Sequence, residues 1–403
     1  MKKLILFLAA VCYAAMMQAQ TLNVTYIDEN GVEQTASNVT EITNASATLT
    51  GGWYVVYGAD VKTGTLVCQD AVHLILADGA KLTATGKGEP DSTPGIRVTG
   101  DGNSLTIYGQ TNQSGQLEAN GGYSTAGIGG GDYESGSNIT INGGTITANG
   151  GYWAAGIGGG DHGSGSNITI NGGNVTANGE EFAAGIGGGD SKEGFNITIN
   201  GGNVTATGIN GGAGIGGGAF GSGFNITING GTVTANREKD ASCIGGGYNA
   251  DGSNIRVATT LLLKADGNNP PTEEIEHGDG DIAGKLAGKR YATIVSILPF
   301  RDAALAAINA AVGDVTNENI MYFITPSKKN IEAATTTNAI NSIKEKALTD
   351  LQNALAIYDA GKTDGFGTLG EKQNGPAVKV TGKGNKEIIL YAPKKVEYIK
   401  VNE

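Results

Sequence analysis

Gly156-Ile157-Gly158-Gly159-Gly160, then Asn167-Ile168-Thr169-Ile170-Asn171-Gly172-Gly173 and Asn174-Val175-Thr176-Ala177-Asn178, is the stretch that decides the fold. It recurs. Gly-Ile-Gly-Gly-Gly occupies 127–131, 156–160, 185–189 and 214–218, and Cys243 replaces the first glycine in 243–247. The isoleucines Ile128, Ile157, Ile186, Ile215 and Ile244 are 29 residues apart (157 − 128). The second block keeps that step from Asn138, Asn167, Asn196 and Asn225, with a worn copy at Asn254. A strict period of this size means one structural unit stacked on itself.

Each unit holds three short extended pieces separated by Gly-rich or polar corners. Apolar residues alternate with Thr and Asn in the second and third pieces, a period of two and hence strand. Three strands and three corners per 29 residues make one coil of a right-handed parallel β-helix of about seven or eight coils. Ile157, Ile168, Ile170, Val175 and Ala177 should point inward; Thr169 and Thr176 should point outward. Stacking turns identical residues into columns, and an asparagine column satisfies its own amides.

Degraded coils precede residue 120, as terminal coils of a solenoid should be. Residues 21–60 would cap the start. Ile255 to about Ile297 would close the other end, with Tyr291–Val295 as a last strand. After Pro299 the composition turns helical. Asp302–Val312 reads as a helix stopped by Gly313, and a weaker helix lies near Lys328–Ala334. Ile340, Ile343, Ala347, Leu351, Ala354, Leu355 and Tyr358 form one stripe of a longer helix ended by Gly361. The chain thus divides into a signal peptide (1–19), a capped β-helix (20–298), a helical bundle (299–362) and a β tail (363–403). Strand-like pieces of the tail begin at Ala377, Glu387 and Val396, and its excess of lysine would suit docking on the bundle or binding something anionic at the cell surface.

Lys2 and Lys3 before the apolar run from Leu4 to about Met17, with Ala19 as the cleavage residue, predict export to the cell surface or medium. No second run of about 20 apolar residues exists, so no membrane span is expected. The net charge of −12 opposes binding to phosphate backbones, and nucleic acid is excluded as a partner. Cys68 and Cys243 lie about six steps apart, or roughly 29 Å at the strand spacing, too far for a disulfide.

The runs Trp53-Tyr54-Val55-Val56, Leu74-Ile75-Leu76-Ala77-Asp78-Gly79-Ala80 and Leu105-Thr106-Ile107-Tyr108-Gly109-Gln110, with the repeated Ala-Gly-Ile-Gly-Gly-Gly and Ile-Thr-Ile-Asn-Gly-Gly, resemble secreted β-helix proteins of gut Bacteroidetes and Firmicutes. Those carry labels such as carbohydrate-binding-domain or adhesin-like protein. The resemblance spans about 50–297. It implies export, a parallel β-helix, and glycan binding with calcium as the candidate cation.

Two columns are candidate sites. Tyr123 and Tyr152 share one register, and Trp153 and Phe182 share the next; aromatic faces along a rigid edge suit sugar rings. A looser column holds Tyr133, His162 and Phe220. Asp132, Asp161 and Asp190 follow the triple glycines, and stacked carboxylates invite a Ca²⁺ ion, which takes oxygen ligands. The histidines His73, His162 and His277 fall in unrelated places, and no matched acid–base pair of a hydrolase or lyase is recognisable. An outward Thr-x-Thr strand suits ice only weakly, since Asn174 and Asn203 interrupt it. The sequence therefore predicts a monomeric, non-catalytic glycan-binding surface protein that requires no cofactor. A structural or adhesive stalk without a small ligand is the alternative, and a lyase- or hydrolase-like β-helix ranks below both.

Overall fold

The computed structural model describes residues 22–45, 47–313, 318–363, 378–381 and 387–390. The signal segment and the strand expected at 396–400 lie outside the described residues. The chain forms two compact units. The first runs to Ala258 and takes in Leu263–Val295; the second begins at Ser296 and includes Thr259–Leu262.

The first unit is a parallel β-solenoid of about seven coils. Its registers are those of the repeat. Ile128 pairs with Ile157, Ile157 with Ile186, Ile186 with Ile215 and Ile215 with Ile244. The second side stacks Gly136–Ile141, Gly165–Ile170, Gly194–Ile199, Gly223–Ile228 and Gly252–Val257. The third stacks Lys81–Thr85, Gln116–Asn120, Thr145–Asn149, Asn174–Asn178, Asn203–Gly208 and Thr232–Arg237. Ile157, Ile168, Ile170, Val175 and Ala177 are all fully buried, while Thr169 and Thr176 are half-buried on the outside. Period-two alternation thus sets the core.

The first and second sides begin as one strand. Leu66–Leu76 pairs through Leu66 and Val67 with Ile96 and Arg97, and through Ala71–Leu76 with Ser104–Gly109. Further along, a turn divides the two ladders. An antiparallel hairpin, Leu22–Ile27 with Glu33–Glu41, covers the start, and Tyr26, Trp53, His73 and Tyr108 pack there as an aromatic cluster. The other end closes with an antiparallel strand: Val233 faces Ile294 and Asn236 faces Tyr291. Cys68 and Cys243 are buried and free, and burial pushes both thiols up to about 12.

The asparagine column departs from the expected strand. Asn138, Asn167, Asn196, Asn225 and Asn254 sit at φ 50–58°, inside strands that begin two residues earlier. Asparagine tolerates this left-handed backbone because its short side chain bonds locally. From Asn167 on, each amide donates to the carboxamide oxygen one coil earlier, at 2.6–3.2 Å, while Asn138 donates to the Asn103 backbone carbonyl at 3.1 Å. Two further columns, Asn120–Asn149–Asn178 and Asn142–Asn171–Asn200–Asn229, do the same.

The second unit packs three helices, Leu298–Val312, Glu318–Ala333 and Thr337–Thr363, each against the other two. Ala304, Ile308, Ile324, Ile331, Ile340, Ala347 and Leu351 form its core. Gly313 stops the first helix as expected, at φ 51°. The middle helix is longer than its weak pattern suggests and carries Pro326 inside. Gly361 does not end the last helix, which continues to Thr363; a glycine costs a helix only about 1 kcal/mol. The buried guanidinium of Arg301 donates to the Ala334 carbonyl at 2.6 and 3.0 Å and to that of Thr259 at 2.6 Å. In the tail, Val378–Thr381 pairs antiparallel with Glu387–Leu390. No helix among the described residues is long and apolar enough to cross a membrane.

Candidate functional site

The Gly-Ile-Gly-Gly piece is less a flat side than a knuckle. Its strand is two residues long. Around it the Ala155 N–H donates to the Gly159 carbonyl at 3.0 Å, and Ala126, Ala184, Ala213 and Ser242 repeat that bond with the residue four ahead. The reversal requires glycine. Gly158 has φ 135°, and a Cβ there would lie 2.0 Å from the Gly187 carbonyl oxygen. The knuckle folds the turn before it against the turn after it.

Backbone bonds tie these two turns across coils. Asp161 N–H donates to the Ser124 carbonyl and Asp190 to that of Trp153, both at 2.9 Å; Ala219 donates to Phe182 and Tyr248 to Gly211, both at 2.7 Å. The aromatic and aspartate columns, separate in the sequence, therefore share one edge of the solenoid.

The structure brings the rings of Tyr123, Tyr152 and Trp153 together. Tyr123 stacks on Tyr152 at 5.7 Å and 13°, and Trp153 tilts against Tyr152 at 4.5 Å. Phe182 shares the register of Trp153, yet no ring stacks on it among the described residues; it lies beside Gly211 and the turn of Ala219. The looser column is the more exposed one. Tyr133, 71% exposed, stacks on His162 at 5.2 Å and 20°. Phe220, 59% exposed, meets Tyr248 edge-on at 5.4 Å. Tyr248, which shares the register of the aspartates, is thereby part of an aromatic edge.

Several of these side chains occupy costly backbone. Trp153 and Phe182 sit at φ 66° and 68°, and Tyr133, His162 and Phe220 at 58°, 51° and 60°. Left-handed backbone costs most L-residues about 1–2 kcal/mol. The asparagine column shows what relieves it. On this edge the same conformation carries rings instead.

The aspartates are unequal. Asp132 is exposed, Asp161 is 5% exposed and Asp190 is half-buried. Asp161 Oδ1 lies 2.5 Å from His162 Nδ1. Partial or full burial raises the Asp161 and Asp190 carboxylates above their ordinary range; His162 opposes this in each, and the neighbouring aspartates add to it at Asp161. Asp161, His162 and Asp190 bring one ligand atom each within 4.8 Å of the others. Asp132, expected as the third carboxylate, is not in that cluster; His162 takes its place, which makes the donor set mixed nitrogen and oxygen. Beyond Asp190 the column continues as Ala219 and Tyr248, with no carboxylate.

An open depression of about 410 Å³ lies at the start of the edge, lined by Glu89, Pro90, Ser92, Tyr123, Ser124 and Asp132. The nearby charge of Glu134 is answered by Arg97, which donates through Nε at 2.9 Å and also through Nη2.

A protein-family profile described as a beta helix repeat matches residues 113–132, 139–161, 168–190, 197–219 and 226–248. The matches end at Asp132, Asp161, Asp190, Ala219 and Tyr248, one column of this edge. The repeat is consistent with a surface or adhesive protein. Searches of curated proteins and of solved structures each returned no match.

Proposed function

We propose that this is an exported, non-catalytic glycan-binding protein whose contact surface is the knuckle edge. The observation that carries the reading is the placement of rings at left-handed positions. Trp153, Phe182, Tyr133 and Phe220 hold a conformation that Asn or Gly would adopt at lower cost. Local strain of this kind clusters where a side chain serves binding. Ring faces present apolar area to the axial hydrogens of a sugar, and the Tyr and Trp polar atoms reach its hydroxyls. A β-solenoid suits the task because its coils repeat about every 4.8 Å along a rigid axis, so rings on successive coils make a ladder for a linear polymer.

Export rests on the basic, apolar and small-residue pattern of residues 2–19. The binding reading is tested on a glycan array with the full chain and with Trp153→Ala/Phe182→Ala. Binding to at least one glycan class, lost in the double variant, is the expected result. A chain that binds no glycan, or a variant that binds as well as its parent, refutes the platform and leaves a stalk or adhesive protein.

A further inference from the structure

We propose that the edge takes glycans bearing free amino groups, of the glucosamine-polymer class, and turns away uronic, sialylated and sulfated sugars. This rests on the glycan reading above and deepens it.

The lining of the 410 Å³ depression carries the argument. It holds two carboxylates, Glu89 and Asp132, two hydroxyls, Ser92 and Ser124, and the Tyr123 ring, and no cationic side chain. An ammonium group finds both kinds of partner there. A carboxylate accepts its charge-assisted hydrogen bonds, and a ring face attracts it through the quadrupole. A uronate or sulfate finds like charge.

The rest of the edge agrees. Asp161 and Asp190 follow Asp132 at one carboxylate per coil, and Glu181 lies in the turn beside Phe182. The spacing of coils, about 4.8 Å, is close to the length of one pyranose residue, so a polymer laid along the edge passes about one sugar per coil. Asp161 is too buried to touch a ligand, and its field is therefore screened less than that of a surface charge. The opposing groups are Lys87 and Lys192 in the flanking turns, His162 against Asp161, and Arg97, which Glu134 holds. Carboxylates outnumber them.

The test is calorimetric titration of the full chain at low salt and about pH 6, where amines of this kind keep their proton. Glucosamine hexamer, N-acetylglucosamine hexamer, galacturonate hexamer and hexalysine are compared. Glucosamine hexamer should bind about tenfold tighter than its acetylated twin, and the gap should narrow as salt screens it. Glu89→Gln/Asp132→Asn should close the gap by weakening the glucosamine hexamer about tenfold. Galacturonate should not bind, and hexalysine, charge without sugar rings, should bind at least about tenfold more weakly than glucosamine hexamer.

Equal or tighter binding of the acetylated hexamer, any binding of galacturonate, or hexalysine matching the amino sugar overturns the inference. If a sugar still binds and Trp153→Ala/Phe182→Ala abolishes it, the ring platform survives alone. If amino-sugar binding ignores those ring changes, the platform fails and the pocket stands on charge. Binding of no probe overturns the inference, and the glycan array then decides the platform.

Discussion

Gly187→Ala should cost about 5 kcal/mol, and the structure gives the parts of that figure. Gly187 has φ 136°, and an added Cβ would lie 1.9 Å from the Gly216 carbonyl oxygen and 2.9 Å from its carbon. Real Cβ contacts stay above 3.0 Å, so the two must part by about 1.1 Å (3.0 − 1.9). The oxygen cannot simply retreat, because it accepts the Gly188 N–H at 2.9 Å and its residue is paired with Gly187 in the ladder. Three costs follow. A left-handed backbone costs alanine about 1–2 kcal/mol. A broken backbone bond with a buried partner costs about 1–3 kcal/mol. Displacing packed backbone costs about 1–3 kcal/mol. Urea unfolding followed by circular dichroism measures the total, with Gly64→Ala as control. Nothing lies within 4 Å of a Cβ at Gly64, so that change should stay within about 0.5 kcal/mol. In a stacked-repeat protein the damage is felt by the coil and its neighbours. Hydrogen exchange should therefore lose protection first at Ile157, Ile186 and Ile215. A Gly187→Ala protein within about 1 kcal/mol of its parent would refute the reasoning, since the knuckle would then be able to open without loss.

The remaining predictions concern the columns. Asn196→Ala should cost about 2 kcal/mol, from two exposed hydrogen bonds and the left-handed backbone, and Asn196→Gly about half of that; equal losses from both, read by urea unfolding, would remove the conformational share. Tyr133→Asn should leave the melting temperature within a few degrees of the parent, because relief of strain offsets the small buried area of a ring 71% exposed, while glycan affinity falls; a large drop in stability would make the ring structural. Asp161 and Asp190 have raised folded pKa values, so their contribution to stability is complete below the ordinary carboxylate value of about 3.9 and is lost as pH rises through the raised folded values. Asp190→Asn should accordingly gain most over its parent at neutral pH, and a difference between the two that is flat with pH in thermal melts contradicts the burial argument. Chelator should leave the melting midpoint unchanged, because His162 already answers Asp161; a drop of several degrees would place a cation between Asp161 and Asp190.

Period and alternation were enough to read the architecture. A 29-residue step with Ile, Val and Ala at inward positions leaves a stacked coil as the arrangement that buries each apolar face, and the observed registers are the sequence offsets themselves. The first and last helices were legible from their stripes, whereas the middle helix begins ten residues (328 − 318) before its weak pattern, and Gly361 was a stop signal too weak to end the last one. The columns Tyr123–Tyr152 and Asp132–Asp161–Asp190 were also visible, because stacking converts equal spacing into adjacency. What the sequence could not supply was the relation between columns. Whether two corners of a coil lie apart or side by side depends on the path of the backbone between them. That path is set by positive φ at the Gly129 and Gly158 positions and by the Ala126-to-Gly130 type of bond. Only the folded chain decided that rings and carboxylates share one edge, that His162 rather than Asp132 joins the buried aspartates, and that Tyr133, Phe220 and Tyr248 face solvent. The physical reason is that periodicity governs contacts along the solenoid axis, whereas contacts around the coil follow from glycine backbone geometry, which spacing alone does not encode.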